Sequence, residues 1–395
     1  MTGALEGIKV LDLTRVLAGP FCTMILGDLG AEIIKVEAPG GSDDTRQWGP
    51  PYAATESAYY LCANRNKRAL TLNLKSNDGK ELLKRLIQES DVIIENFKSG
   101  TMEKWGLGYN ELKKINPKII HCSITGFGQN GPYRKLPGYD SIIQAMSGLM
   151  SITGSEESGP MKVGVAISDL FTGLYANIGI LAALHERTRS GQGQSIDVSL
   201  FDSQLSVLAN VASNYLISGK QPGLLGNQHP NIVPYQPFET KDGTLVVAVG
   251  NDSQFRKLCS ILEAPELGVD EKFITNSKRL ENRDELIGIL ASKFKLKTTK
   301  ELADLLNQIS VPAGPIQTMK EVFNDPQVHA RNMVWELEHP IAGQIKLVGS
   351  PLKLSRTPVT IRKYPPLVGE HTEEILIQMG YTKNEIEEMK TLNII

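Results

Sequence analysis

The sequence predicts an α/β protein, with a large domain of alternating strands and helices and a smaller α+β domain. Three observations carry this. Short apolar runs alternate with helical patterns through the first part of the chain. The 395 residues exceed what one hydrophobic core usually spans, so two domains are expected. Beyond a Gly-, Pro- and Asn-rich stretch at 218–237, the alternation gives way to a hairpin and then helices.

Taken in order, Ile8–Leu13 reads as a buried strand, Pro20–Leu29 as a helix with Pro in its first turn and Gly30 as its stop, and Ala31–Glu37 as a second strand. Such a βαβ unit is parallel and right-handed. Ala69–Leu74 continues the pattern as a strand. Asp78–Glu89 is an amphipathic helix through Leu82, Leu83, Leu86 and Ile87. Asp91–Asn96 and Lys118–Ile124 are strands, and Ile142–Met150 is an apolar helix opened by Tyr139 and Asp140. A helix over Leu170–Arg187, a strand at Ser195–Leu200 and a helix over Asp202–Ile217 follow. Tyr235–Thr240 and Thr244–Val249 flank a Lys241-Asp242-Gly243 turn as a hairpin. Thr298 and Glu301 read as a capping box. The tail from Asn332 returns to strand-like runs and a closing helix after His371. Ligands of such a domain sit at the carboxyl ends of its strands. The first loop, Thr14–Pro20, lacks GxGxxG, which argues against a nicotinamide dehydrogenase.

Composition excludes several function classes. A net charge of −2 with 22% charged residues gives no electrostatic case for nucleic acid or an anionic membrane surface. No basic, then apolar, leader is seen at the start. The longest apolar stretches are read as short of the ~20 residues that span a bilayer. Cys22, Cys62, Cys122 and Cys259 are scattered, as fits reduced thiols in a cytoplasmic protein. With the histidines also dispersed, no metal site is expected, and no Ser/His/Asp or Cys/His grouping is visible.

Asp169 is the residue that stands out. It is the only charge in the 22-residue run Val163–Leu184. A carboxylate removed from water is costly unless paired, and desolvation raises its pKa. Two compatible roles suit it: capping the helix that starts there, a task Ser168 could share, or presenting an ionised carboxylate for chemistry. Arg15, Arg46, Arg65, Lys67, Arg68, Lys75, Lys98 and Lys104 fall near strand ends, where they are either solvated or hold phosphates. His121 lies inside an apolar strand and reads as a core residue. His229, in a Gly- and Pro-containing loop, is a better functional candidate, and Tyr139 is placed to line a pocket facing Asp169.

The segments DLTRVLAGPFCTMILGDLGAEIIKVEAPGG, NRNKRALTLNLK, DVIIENFKSGTMEKWGLGY, GYDSIIQAMSGLM, VGVAISDLFTGLYANIGILAAL and GEHT resemble, in order, the class III CoA-transferases of the CaiB–BaiF type. The second half is most similar to the succinate–hydroxymethylglutarate branch. The resemblance implies a Rossmann-like large domain built from both chain ends and a homodimer of interlocked rings. Its boundaries would be 1–200, a linker at 201–225, the small domain at 226–325, and a return through 326–395 to the large domain. It implies Asp169 as nucleophile, with no permanently bound cofactor and CoA or acyl-CoA as substrate beside a carboxylic acid. Family CoA contacts fall on Val16, Ala18, Leu72, Lys75, Asn96, Phe97 and Lys104. Leu17 stands where the formyl-CoA branch has glutamine, and Ala38 where it has arginine. The first argues against oxalate as acceptor. Tyr139 replaces the histidine of the family's racemases, which disfavours the alternative of an acyl-CoA racemase using Asp169 as base; a CoA-binding protein without turnover is a third reading. For the acceptor's second carboxylate, Arg46 and His229 are the candidates.

Overall fold

The computed structural model describes residues 3–395. They form two compact units. One takes the chain up to Gly148, then Val163–Ala209 and Pro326–Ile395; the other takes Leu149–Lys162 and Asn210–Asp325.

The large unit is built on six strands: β1 (Lys9–Asp12), β2 (Glu32–Glu37), β3 (Lys67–Thr71), β4 (Val92–Glu95), β5 (Ile120–Thr125) and β6 (Ser195–Ser199). Every pairing is parallel, and the order is β3-β2-β1-β4-β5-β6. That is the doubly wound order, with its switch point between β1 and β4. The inner strands carry apolar residues on both faces because both are covered, with buried charges of the sheet at positions such as Asp12, Lys35 and Lys67 that find partners. Leu11, Ile93 and Leu70 face a core that includes Leu82, Leu83, Leu86 and Ile87 of the helix Asn77–Gln88. Val10, Ile33 and Ile94 face the opposite core, with Cys22 and Leu26 of α1 (Ala18–Asp28). A second helix on that side, α2 (Ile167–Ser190), contributes Ala176 and Ile180. It ends at Gly191, whose φ of 71° serves as a left-handed stop. The chain's last segment belongs to the first face, through Ile375, Leu376, Ile386, Ile394 and Ile395.

The smaller unit has its own core. An antiparallel three-stranded sheet, β7 (Tyr235–Glu239), β8 (Thr244–Ala248) and β9 (Ala313–Pro315), packs through Phe238, Leu245 and Val247 against Phe255, Leu258, Leu290, Phe294, Leu302 and Leu306 of its helices.

Four sequence expectations change. Leu149–Lys162 belongs to the smaller unit, where Gly226 N–H donates to Gly154 O at 2.7 Å, a distant contact that periodicity cannot show. The helix expected over 202–217 is split into two, Leu200–Ser206 and Ala209–Ser218, and the smaller unit begins at Asn210 rather than after a linker at 201–225. Thr298 caps its helix by accepting from Glu301 N–H, but Glu301 pairs with Lys297 at 3.5 Å; the complete capping boxes are Thr318–Glu321 and Thr382–Glu385. Finally, α2, at 24 residues, is long and apolar enough to cross a membrane by length and composition. In the structure one side of it is buried through Thr172, Gly173, Ala176 and Asn177, and it packs on α1.

Candidate active site

The site is built at the switch point, where the chain leaves β1 and turns into α1. That turn is pinned from beneath by buried charges. Asp12, fully buried, accepts from Thr14 N–H and Thr23 Oγ1 and pairs with Lys67 Nζ at 3.0 Å. Lys67 also donates to Pro20 O at 3.0 Å and Asn64 Oδ1 at 2.9 Å. Lys35 Nζ bridges Thr14 O at 3.0 Å and Asp43 Oδ2 at 2.8 Å. A buried ammonium is tolerated because each finds a carboxylate and further acceptors. Asp43 Oδ1 receives Val16 N–H at 3.1 Å. Val16 has φ 70°, a left-handed conformation that costs a β-branched residue roughly 1–3 kcal/mol. Gly19 is required by closeness: a Cβ there would fall 2.3 Å from Thr14 Cβ.

Asp169 lies in the first turn of α2. It does not cap that helix, and neither does Ser168, whose Oγ donates to Gln204 Oε1 at 2.8 Å. The cap comes from another element. Asp140 Oδ1 accepts Ser168 N–H at 2.8 Å, while its Oδ2 accepts from Gln144 Nε2 at 2.7 Å. Asp169 is thereby released from a structural duty. Facing it is the start of α1, whose Ala18 backbone N–H favours the ionised form of the Asp169 carboxyl. The approach is close because residue 173 is Gly; a Cβ there would lie 2.6 Å from Ala18 O.

Burial pushes the Asp169 carboxyl up to about 7, the Asp140 charge adds to the rise, and the Ala18 N–H only partly offsets it. No cation contributes. A group held this way ionises near neutrality and is weakly solvated once ionised, which suits a nucleophile or a base. Tyr59, which sequence reasoning missed, is also near: burial and then the Asp169 charge push its hydroxyl up to about 12.

Beside the turn, a groove of about 490 Å³ opens past the ends of β1, β2 and β3, with Leu72, Lys75, Phe97 and Trp105 among its lining residues. Phe97 and Trp105 meet edge to face at 5.1 Å. Lys75 and Lys104 are exposed. The groove offers an apolar wall with Lys75 in its lining, and Lys104 immediately precedes the lining residue Trp105 in the chain. Among the described residues no group of three or more His, Cys, Asp or Glu is placed to hold a metal.

Residues 5–372 match the sequence profile of CoA-transferase family III. The chain belongs to this family. It is 47% identical to the human succinyl-CoA:glutarate CoA-transferase over 392 residues, covering 99% of this chain and 90% of that protein. It is also 47% identical to the succinate–glutarate CoA-transferase of Agrobacterium fabrum, over 95% of each chain. A solved CaiB/BaiF family protein from Brucella suis, 46% identical, superposes with a TM-score of 0.84 over 96% of this chain and 100% of its own.

In this CoA-transferase the expected residues separate into groups. Val16 and Ala18 lie on the turn that faces Asp169, and Leu72, Lys75 and Phe97 line the adjoining groove together with Ala38. Asn96 sits at the switch point with both ends of its amide bonded to the backbone of Arg15. Arg46 is not available as expected for a substrate carboxylate. Its guanidinium pairs with Glu37 at 2.6 Å, stacks on the Tyr60 ring at 3.8 Å and donates to Pro366 O at 3.3 Å. Arg65, Lys67 and Arg68 are likewise spent internally, on Asp28, Asp12 and Glu374. Tyr139, 56% exposed, precedes the helix Asp140–Met146. His229 belongs to the smaller unit, stacked on Tyr235 at 5.0 Å with Nδ1 accepting Asn231 N–H at 3.0 Å. His121 is buried and stacks on Tyr109, as expected of a core residue, but neither ring nitrogen has a hydrogen-bond partner among the described residues, so it is not the satisfied histidine expected there.

Proposed function

We propose that this enzyme moves CoA from succinyl-CoA to a second dicarboxylic acid of glutarate's kind, through covalent intermediates on Asp169. The observation that carries the mechanism is a carboxylate raised to about 7 with no capping duty and no counter-ion. The substrate class follows the names of the human and Agrobacterium relatives.

The atoms balance in four steps. An Asp169 oxygen attacks the donor thioester carbon, giving a mixed anhydride and CoA thiolate. Thiolate attacks the aspartyl carbon and expels the donor carboxylate, leaving an aspartyl-CoA thioester. The acceptor carboxylate attacks that thioester, giving a second anhydride and thiolate. Thiolate then attacks the acceptor's acyl carbon, forming the new thioester and restoring Asp169. Dividing the exchange lowers each barrier, and apolar surroundings limit hydrolysis of the anhydride and thioester. Phe97 would pack against apolar parts of CoA, with Lys75 and Lys104 meeting phosphates.

We further infer a homodimer of interlocked rings. Leu174, Tyr175 and Ile178 form an exposed apolar stripe on α2 at helical spacing, larger than an isolated surface side chain explains, and a second copy would cover it. Incubation with succinyl-CoA followed by hydroxylamine or borohydride should place a modification on Asp169 by mass spectrometry. Absence of label, with α-proton exchange lost in Asp169→Ala, would replace this reading by the racemase. CoA binding with neither reaction would leave a binding protein.

A further inference from the structure

The turn that faces Asp169 is strained at one residue and gripped at the residue before it. Val16 is held left-handed at φ 70°, where a β-branched side chain does not rest unaided. Immediately before it, Asn96 bonds Arg15 at both ends of its amide: Oδ1 accepts Arg15 N–H at 3.1 Å and Nδ2 donates to Arg15 O at 2.7 Å. Arg15 follows β1 and Asn96 follows β4, so this pair closes the switch point of the sheet. Two residues beyond Val16, Ala18 lies against the first turns of α2, and its N–H favours the ionised Asp169 carboxyl. The Ala18 carbonyl packs over Gly173, one turn along α2.

We propose that Asn96 is a positioning residue: by clamping Arg15 it keeps Val16 left-handed and so aims the Ala18 N–H at Asp169. The inference rests on Asp169 carrying the acyl exchange. It adds a second use for that N–H. When thiolate or acceptor carboxylate attacks the aspartyl carbon, negative charge develops on an Asp169 oxygen, and a fixed N–H aimed there stabilises it without reorganisation. The strain at Val16 is a condition of that aim, because a relaxed residue 16 would redirect the two peptides that follow.

Asn96→Ala should lower kcat by about 100-fold, the scale of one lost oxyanion donor, while KM for succinyl-CoA and the Kd of free CoA change little. The limb of kcat/KM governed by Asp169 should move to higher pH, since the lost N–H favours the ionised form. A double-mutant cycle gives the sharper reading. Gly accepts a left-handed φ without steric cost, so in a Val16→Gly background Asn96→Ala should cost only about tenfold. Asn96→Asp keeps the acceptor for Arg15 N–H and carries the same cycle if the alanine variant does not fold. Equal fold-losses in both backgrounds, or a weakened CoA Kd with kcat unchanged, would overturn the proposal in favour of direct CoA contact. Asp169→Ala separates the two levels. Activity retained there removes the nucleophile itself, whereas an inactive Asp169→Ala beside an unaffected Asn96→Ala removes only the clamp.

Discussion

Asp12, at the end of β1, and Asp169, in the first turn of α2, belong to the same unit and are both penalised by burial, yet they are held in opposite states. Around Asp12 the desolvation penalty is outweighed by Lys67 and Lys35 and by hydroxyl bonds from Thr14 and Thr23, and its pKa falls below the usual carboxylate range. Around Asp169 the penalty is reinforced by Asp140 and opposed only by one backbone N–H, and its pKa rises to about 7. The difference is in the supply of partners, not in the residue. A carboxylate saturated with donors is an anchor. One given a single aimed donor keeps the reactivity of its lone pairs.

The contrast can be broken most forcefully at the reacting atom. Asp169→Ala should abolish transfer, with a loss on the order of 10³-fold or more, and leave the circular-dichroism spectrum unchanged; measurable turnover near the wild-type rate would end the nucleophile reading. At the anchor the effect should be on folding. Lys67→Met leaves Asp12 buried without its nearest cation and should cost about 3–5 kcal/mol, read as a lower denaturant midpoint.

The next test uses pH. With a carboxyl near 7, kcat/KM should climb about tenfold per unit below neutrality and level off above it, whereas an Asp169 at an ordinary carboxylate pKa would give a flat profile from pH 5.5 upward. The same shift has a stability consequence. A carboxyl raised in the folded state opposes folding once pH exceeds its unfolded value near 3.8, and the penalty is complete above about 7. Asp169→Asn should therefore stabilise the fold at pH 8 by on the order of 1 kcal/mol after solvent screening, and not at pH 3, as thermal melts at the two pH values would show. Asp12 obeys the opposite sign: its stabilisation is present above the unfolded value and is lost as acid reaches its depressed pKa. The smallest effect belongs to the groove rim. Lys75→Ala should raise KM for acyl-CoA by about three- to tenfold with kcat nearly constant; an unchanged KM would remove Lys75 from the phosphate contacts.

Much of this was legible in the chain. The strands at Lys9–Asp12, Glu32–Glu37 and Val92–Glu95 appear as apolar runs because both faces of a parallel sheet are covered. The helix bearing Asp169 appears as a periodic stripe. The strand Lys67–Thr71 looks from its residues like a strand at 69–74, because Lys67 and Arg68 resemble surface residues until Asp12 and Glu374 bury them as ion pairs. Arg46 misled for the same reason.

By itself the sequence determined the alternation of strands and helices, the second core and the isolation of one carboxylate, since these depend on patterns within a segment. Only tertiary structure decided the strand order, the capping of α2 by Asp140, the clamp of Asn96 on Arg15 and the commitment of Arg46 to Glu37 and Pro366. Those interactions join residues from nine to more than three hundred positions apart. No local pattern records them, because a polar side chain has the same sequence signature whether its partner is water or another part of the fold.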